Sequence, residues 1–157
     1  MQEAFLNVID QYQNIVHKVT RLYRDSLEDR QDLFQEIVFQ LWKAFPGFRG
    51  DAKISTWMYR IALNTAMATY RQRKVSMETS DVIPEHLHPT DQQESSENQE
   101  KLFSALRQLN DSEKAIISLF LEDYSYQEIA SITGITENYV GVKINRIKEK
   151  LKLILNR

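Results

Sequence analysis

Three groups of side chains in this 157-residue chain could do chemistry, and in each that chemistry is recognition. The first is Thr136, Glu137, Asn138, Tyr139, Val142, Lys143, Asn145 and Arg146. An asparagine amide can pair bidentately with adenine, a valine methyl can touch a thymine methyl, and arginine can bond guanine or clamp a phosphate. Glu137 could accept from a cytosine amino group, and its charge suits the start of a helix. The second group is Phe48, Arg49, Lys53, Trp57, Arg60, Asn64, Arg71 and Arg73. No acid occurs between Asp51 and Glu78, whereas Lys53, Arg60, Arg71, Arg73 and Lys74 do. Cations interleaved with aromatic and amide groups suit a nucleic-acid surface, single strands included. The third group is Asp32, Gln35 and Glu36, an acid and amide edge that serves either as a solvated face or as a docking edge for a partner helix.

Catalysis has no comparable footing. The chain has no glycine-rich phosphate loop and no paired nucleophile and histidine, so no enzyme is expected. Cysteine is absent, which excludes disulfides and thiolate metal sites. His17, His86 and His88 lack metal spacing. Neither a cofactor nor a metal is expected.

The elements that must position these groups can be read from caps and periodicity. Ser125 with Glu128 has capping-box spacing. Ile129, Ala130 and Ile132 give the short helix that follows an apolar face, and Gly134 can end it with a positive φ. Thr136 can cap the next helix. Val140, Ile144, Ile147, Leu151 and Ile154 form one buried stripe on that longer helix. Asn138, Val142 and Asn145 then lie opposite the stripe, with Tyr139 and Arg146 on its flanks. A short helix, a glycine turn and a second helix make a helix-turn-helix. From Val142 to Arg157 there are six basic residues and one acid, Glu149, which suits a phosphate backbone.

Upstream, residues 2–24 read as a helix on Phe5, Leu6, Ile9, Tyr12, Ile15, Val16, Val19 and Tyr23. Ser26 or Asp29 can cap a second, strongest over 32–45, with Leu33, Phe34, Ile37, Val38, Leu41 and Trp42 inward. Pro46, Gly47 and Gly50 demand a loop, whose Phe45 and Phe48 either plug the core or offer stacking surfaces. A third helix over 54–74 would turn Trp57, Met58, Ile61, Thr65 and Ala68 inward. Residues 75–99 carry six acids and no base and read as a flexible acidic linker. The remainder holds 20 basic and 16 acidic residues, so the overall net charge of −2 hides a segregation. Ser96 with Gln99 can cap a helix running to about Leu109, and Asn110 with Glu113 another on Ile116, Ile117, Phe120 and Leu121. No strand alternation is visible. The expected fold is all-α, with two small helical domains, 1–74 and 100–157, joined by the linker. No apolar run reaches the roughly 18 residues of a membrane span and the N-terminus is no signal peptide, so a cytoplasmic protein is expected. A linker of about 25 residues spans several tens of ångströms when extended, enough for one chain to touch two separate DNA elements.

These motifs resemble those of the extracytoplasmic-function sigma factors, small members of the sigma-70 family. Asp32-Leu33-Phe34-Gln35-Glu36-Ile37-Val38-Phe39 resembles the family's DLxQEVF polymerase-docking helix. Phe48-Arg49-Gly50, followed by Ser55-Thr56-Trp57-Met58-Tyr59-Arg60-Ile61-Ala62-Leu63-Asn64, is similar to its FRG…TWLYRIAxN signature. Ser125-Tyr126-Gln127-Glu128-Ile129-Ala130 with Gly134-Ile135-Thr136 resembles its LSYxEIAxxxGIS turn. The matches keep family order and spacing over nearly the whole chain.

The resemblance implies that Asp32, Gln35 and Glu36 dock on bacterial core RNA polymerase. It implies that the 47–54 loop with Trp57, Arg60 and Asn64 captures a flipped base of a melted minus-ten element, flipping costing a few kcal/mol. It implies that residues 136–146 read a duplex minus-thirty-five element, that the linker threads the polymerase, and that an anti-sigma partner is plausible. The sequence departs from the family where Gly141 replaces a common Lys, Lys143 a common Arg, and Asn110 a common Pro. A helix-interior glycine costs about 1 kcal/mol relative to alanine; it either allows close approach to DNA or is tolerated by packing. Two other readings stand beside this one: a dimeric helix-turn-helix regulator of palindromic operators, which leaves the FRG…TWMYRIALN stretch idle, and an adaptor that binds polymerase without opening DNA.

Overall fold

The computed structural model describes residues 2–71 and 97–157, without the side chains at 69–71. Every regular element among them is helical. Residues 75–96 of the expected flexible linker, the Ser96 cap, Arg73 and the Arg71 side chain lie outside the described residues, while residues 97–99, also expected in the linker, are the start of a helix. The chain divides into two compact units, Met1–Asp91 and Gln92–Arg157.

In the first unit α1 (Gln2–Tyr23), α2 (Leu27–Ala44) and α3 (Ile54–Arg71) pack against one another, and a single 3₁₀ turn, Phe45–Gly47, follows α2. The Ser26 hydroxyl caps α2 by accepting from the Asp29 N–H, so the helix begins before the densest part of its apolar pattern. Phe5, Ile9, Val16 and Val19 of α1 and Leu33, Phe34, Ile37 and Leu41 of α2 are all buried where these helices pack. Burying side chains of this size is worth about 1.5–3 kcal/mol each, the main force holding three helices that would be marginal alone. Arg24 ties the helix ends together: its guanidinium donates to the carbonyls of Tyr23 (2.9 Å) and Ala66 (3.2 Å).

One expectation needs correction. Ala68 is exposed, not inward, while Trp57 and Ile61 are only half-buried. The buried face of α3 is Met58, Tyr59, Ala62, Leu63, Thr65 and Ala66. The helix is rotated because Ala62 and Ala66, weak signals in an apolar count, allow close packing against two neighbouring helices.

In the second unit α4 (Glu97–Arg107), α5 (Asp111–Leu121) and α6 (Tyr126–Thr133) each pack on α7 (Glu137–Leu155). Asn110 and Glu113 close a capping box around the start of α5. Glu113 is only 4% exposed and takes a 2.7 Å ion-paired hydrogen bond from Lys150 on α7. Burial by itself would raise the Glu113 pKa. The Lys150 hydrogen bond and charge, the Asn110 N–H and the more distant Lys143 outweigh it, and the carboxyl sits below its ordinary range. Of the stripe on α7, Val140, Ile144 and Ile147 are buried, whereas Leu151 and Ile154 near the helix end are half-buried. No helix among the described residues is long and apolar enough to cross a membrane.

Candidate nucleic-acid interface

The two helices of the turn in the second unit are set by local bonds. The Ser125 hydroxyl accepts from the Glu128 N–H at 3.1 Å, and the Glu128 carboxylate accepts from the Ser125 N–H at 3.0 Å. Gly134 ends α6 at φ +82°, a conformation open to glycine at little cost. Thr136 caps α7 by accepting from the Tyr139 N–H. With Val140, Ile144 and Ile147 buried, the helix turns Thr136, Glu137, Asn138, Tyr139, Val142, Asn145 and Arg146 to the exposed side. Lys143 is half-buried, its ammonium 5.6 Å from the centre of the Tyr139 ring. Six of the expected reading residues therefore share one side of the helix, a neutral strip of Asn138, Val142 and Asn145 flanked by Tyr139, Lys143 and Arg146, while Thr136 and Glu137 stand at the helix start off that strip. Neutral amides and a methyl at the centre suit base edges, and cations at the border suit phosphates.

The rotation of α3 assembles the group in the first unit. At 100° per residue, Trp57, Arg60 and Asn64 share the side of α3 opposite its buried face. Asn64 is exposed and Trp57 and Arg60 are half-buried. Gly50 adopts φ +78° and lets the loop turn back toward α3. Phe48 lies with its ring 5.1 Å from that of Trp57. Phe45 bridges inward, 6.2 Å from Trp57 and 5.4 Å from the buried Phe5. The two alternatives for the loop aromatics thus divide between them: Phe45 anchors, while Phe48 and Trp57 form a half-exposed aromatic pair. Arg49 and Lys53 are exposed beside it.

On α2, Asp32 is exposed and Gln35 and Glu36 are half-buried, all opposite the core stripe. Glu36 accepts from the Gln40 amide at 3.0 Å, while its second carboxylate oxygen is buried without a hydrogen-bond partner. Phe39, four residues beyond Gln35, lies half-exposed on the same edge under the Lys43 ammonium. It was not among the expected docking residues, although its position three and four residues from Glu36 and Gln35 marks it. Likewise Tyr126 on α6 is exposed against α7, a placement that no spacing rule reveals.

Residues 1–75 match Sigma-70 region 2, and residues 99–151 match Sigma-70, region 4. Over an alignment of 165 positions the chain is 30% identical to the ECF RNA polymerase sigma-E factor of Haemophilus influenzae, covering 96% of this chain and 87% of that protein. It is 30% identical to the protein of the same name from Escherichia coli, covering 96% and 85%. The chain belongs to the extracytoplasmic-function sigma factors of the sigma-70 family. Among solved structures, this sigma factor shares its fold with the sigma factor RpoE of Bartonella quintana, solved in complex with the anti-sigma factor NepR (TM-score 0.68, 18% identity, covering 99% of this chain and 96% of that one). It also shares it with CnrH, solved in complex with the cytosolic domain of CnrY (TM-score 0.70, 21% identity, 99% and 90%). The sigma factor's α1–α3 unit lies within the region 2 match and its α4–α7 unit holds the region 4 match.

Proposed function

We propose that this sigma factor docks on bacterial core RNA polymerase, opens promoter DNA through its first unit and reads an upstream duplex element through its second. Residues 1–74 are assigned to polymerase and minus-ten binding, 75–99 to the linker, and 100–157 to minus-thirty-five binding. The observation that carries the reading is the outward face of α3. Trp57, Arg60 and Asn64 converge there beside Phe48, giving a stacking pair, an amide and cations in one place. An unpaired base can stack on such a pair, because every base presents a π-face, and its neighbouring phosphates meet Arg49 and Lys53.

Asp32, Gln35 and Glu36 provide the docking edge on α2. The buried, unpartnered Glu36 oxygen is an acceptor that a donor from the polymerase would satisfy, and a buried acceptor without a partner costs about 1–3 kcal/mol. Phe39 supplies an apolar anchor beside it. On α7, the neutral strip would read base edges and its flanks would hold phosphates. Core polymerase is a cytoplasmic enzyme, so the protein works in the cytoplasm. An anti-sigma partner is a further expectation, supported by the anti-sigma factor NepR solved with RpoE.

The test is reconstitution of the full chain with bacterial core RNA polymerase, followed by transcription from random-sequence promoter libraries. Initiation at sites sharing two spaced motifs is expected. Polymerase binding without initiation would support an adaptor instead. Binding of two copies to symmetric DNA without polymerase would support an operator-binding regulator.

A further inference from the structure

Trp57 stands outside the buried face of α3, so the packing of that helix does not by itself fix the attitude of its ring. Two rings meet it. Phe48, in the loop, is itself only half-buried, with its centre 5.1 Å away at an interplanar angle of 47°. Phe45, on the turn after α2, lies 6.2 Å away at 60°. Behind Phe45 is Phe5, 5.4 Å away at 66°, and Phe5 also meets Trp42 edge-on at 5.0 Å and 66°. Phe5 is only 2% exposed. It is the buried end of a path of rings whose other end is the half-exposed pair. Edge-to-face contacts at these separations are directional, because the positive edge of one ring meets the negative face of the next. Each ring therefore limits the tilt of its neighbour.

The place of Phe5 depends on a break in α1. Tyr12 leaves the helical region at φ −116° and ψ 16°, and the helix kinks there. By spacing Tyr12 falls on the stripe of Phe5, Ile9 and Val16, yet those three are buried and Tyr12 is only half-buried. Residues 2–11 thus form an arm on its own course, with Ile9 in the core and Phe5 against Trp42 and Phe45. The arm meets the end of α2 where the chain leaves the helix for the loop. There the Phe45 carbonyl accepts from the Phe48 N–H at 3.0 Å, so a shift of Phe45 carries the loop aromatic with it.

We infer that Phe5 is a positioning residue of the base-capturing site, acting through Phe45 to hold Trp57 and Phe48 in the attitude that receives an unpaired base. This rests on the reading of the outward face of α3 as that site. Phe5 touches no base. A stacking platform held in place beforehand spares the incoming base the cost of ordering it. The arm of α1 is the part of the fold that does the holding.

The experiment uses the full chain with core RNA polymerase and promoter fragments recovered from the library selection. Opening is read by permanganate reactivity of unpaired thymines, beside polymerase affinity and a thermal melt for each variant. Phe5→Leu keeps an apolar side chain in the core but removes the ring. It should reduce opening about three- to tenfold and leave polymerase affinity at the wild-type value. Ile9→Val is the control, because Ile9 is fully buried on the same arm and carries no ring. It should lower the melting temperature but leave opening as in wild type. In a Trp57→Ala background Phe5→Leu should lose most of its effect on opening. A loss of opening in Ile9→Val equal to that in Phe5→Leu would mean that Phe5 only supports the fold, and would overturn the inference. So would a Phe5→Leu loss undiminished in the Trp57→Ala background. Trp57→Ala by itself separates the inference from the underlying reading. If Trp57→Ala impairs opening while Phe5→Leu does not, the Phe5 inference alone fails. If Trp57→Ala also leaves opening unchanged, the base-capturing reading of α3 fails with it.

Discussion

Glu113 does two jobs with one carboxylate. It closes the capping box at Asn110 and pairs with Lys150 from the far end of α7. Its pKa is lower in the folded chain than in the unfolded one. It therefore contributes stability that is present above the unfolded carboxylate value and is lost as pH falls through the folded value. Glu113→Gln removes that titration. Thermal melts of this variant from pH 6 to pH 3 should show a shallower fall than wild type, and an identical slope would mean that the pair contributes nothing. Asp123 offers the opposite case. It holds φ +65° in the turn between α5 and α6, which an L-residue adopts at a cost that glycine avoids. Asp123→Gly should stabilise the chain by about 0.5–1 kcal/mol in denaturant unfolding. A loss would show that the aspartate side chain repays its strain through bonds in the turn.

Among the elements, α3 does most to assemble the proposed base-capturing site. Its apolar residues alone suggest an inward Trp57, but Ala62 and Ala66 let the helix pack closely on α1 and α2 and rotate. The rotation places Trp57 with Arg60 and Asn64, and the loop brings Phe48 against it. The aromatic chain from Phe5 through Phe45 anchors this pair to the core. Trp57→Ala and Asn64→Ala should each reduce promoter opening, read by permanganate reactivity of unpaired thymines, by about tenfold, as expected for losing roughly 1–3 kcal/mol of base stacking at Trp57 or roughly 1 kcal/mol of hydrogen bonding at Asn64. Their effect on core polymerase binding should be much smaller. Equal loss of both activities would make these residues supports of the fold. The paired helices α6 and α7 behave differently, because three successive caps hold them locally, and their geometry depends less on distant packing.

For the whole molecule, the two proposed recognition faces, one on each unit, imply separable specificities. In library selections Asn145→Ala should change the preferred upstream element and leave the downstream one as it was. Asn64→Ala should do the reverse. The free-energy effects of the two should add in the double variant, as they do for sites without shared partners. A change in both elements from either substitution would mean that the faces do not act independently. The charge layout supports this division of labour: the basic excess lies with the helical units and not with residues 75–99.

The sequence by itself determined whatever depends on a few adjacent residues. The Asn110, Ser125 and Thr136 caps, the glycine turn at Gly134 and the exposed strip on α7 were all legible, and the cap of α2 was narrowed to Ser26 or Asp29, because a cap or a turn closes within about four residues of chain. The order of the three motifs also carried the family. Tertiary structure decided the rest. Arg24 reaches Ala66 across 42 positions and Lys150 reaches Glu113 across 37. The rotation of α3 and the seating of the Tyr126 ring 3.3 Å from where a Cβ at Gly141 would stand likewise come from packing between helices. Such pairings depend on how closely two surfaces approach, which small residues such as Ala62, Ala66 and Gly141 permit. A small residue leaves almost no trace in an apolar pattern, since its effect lies in the neighbour it admits.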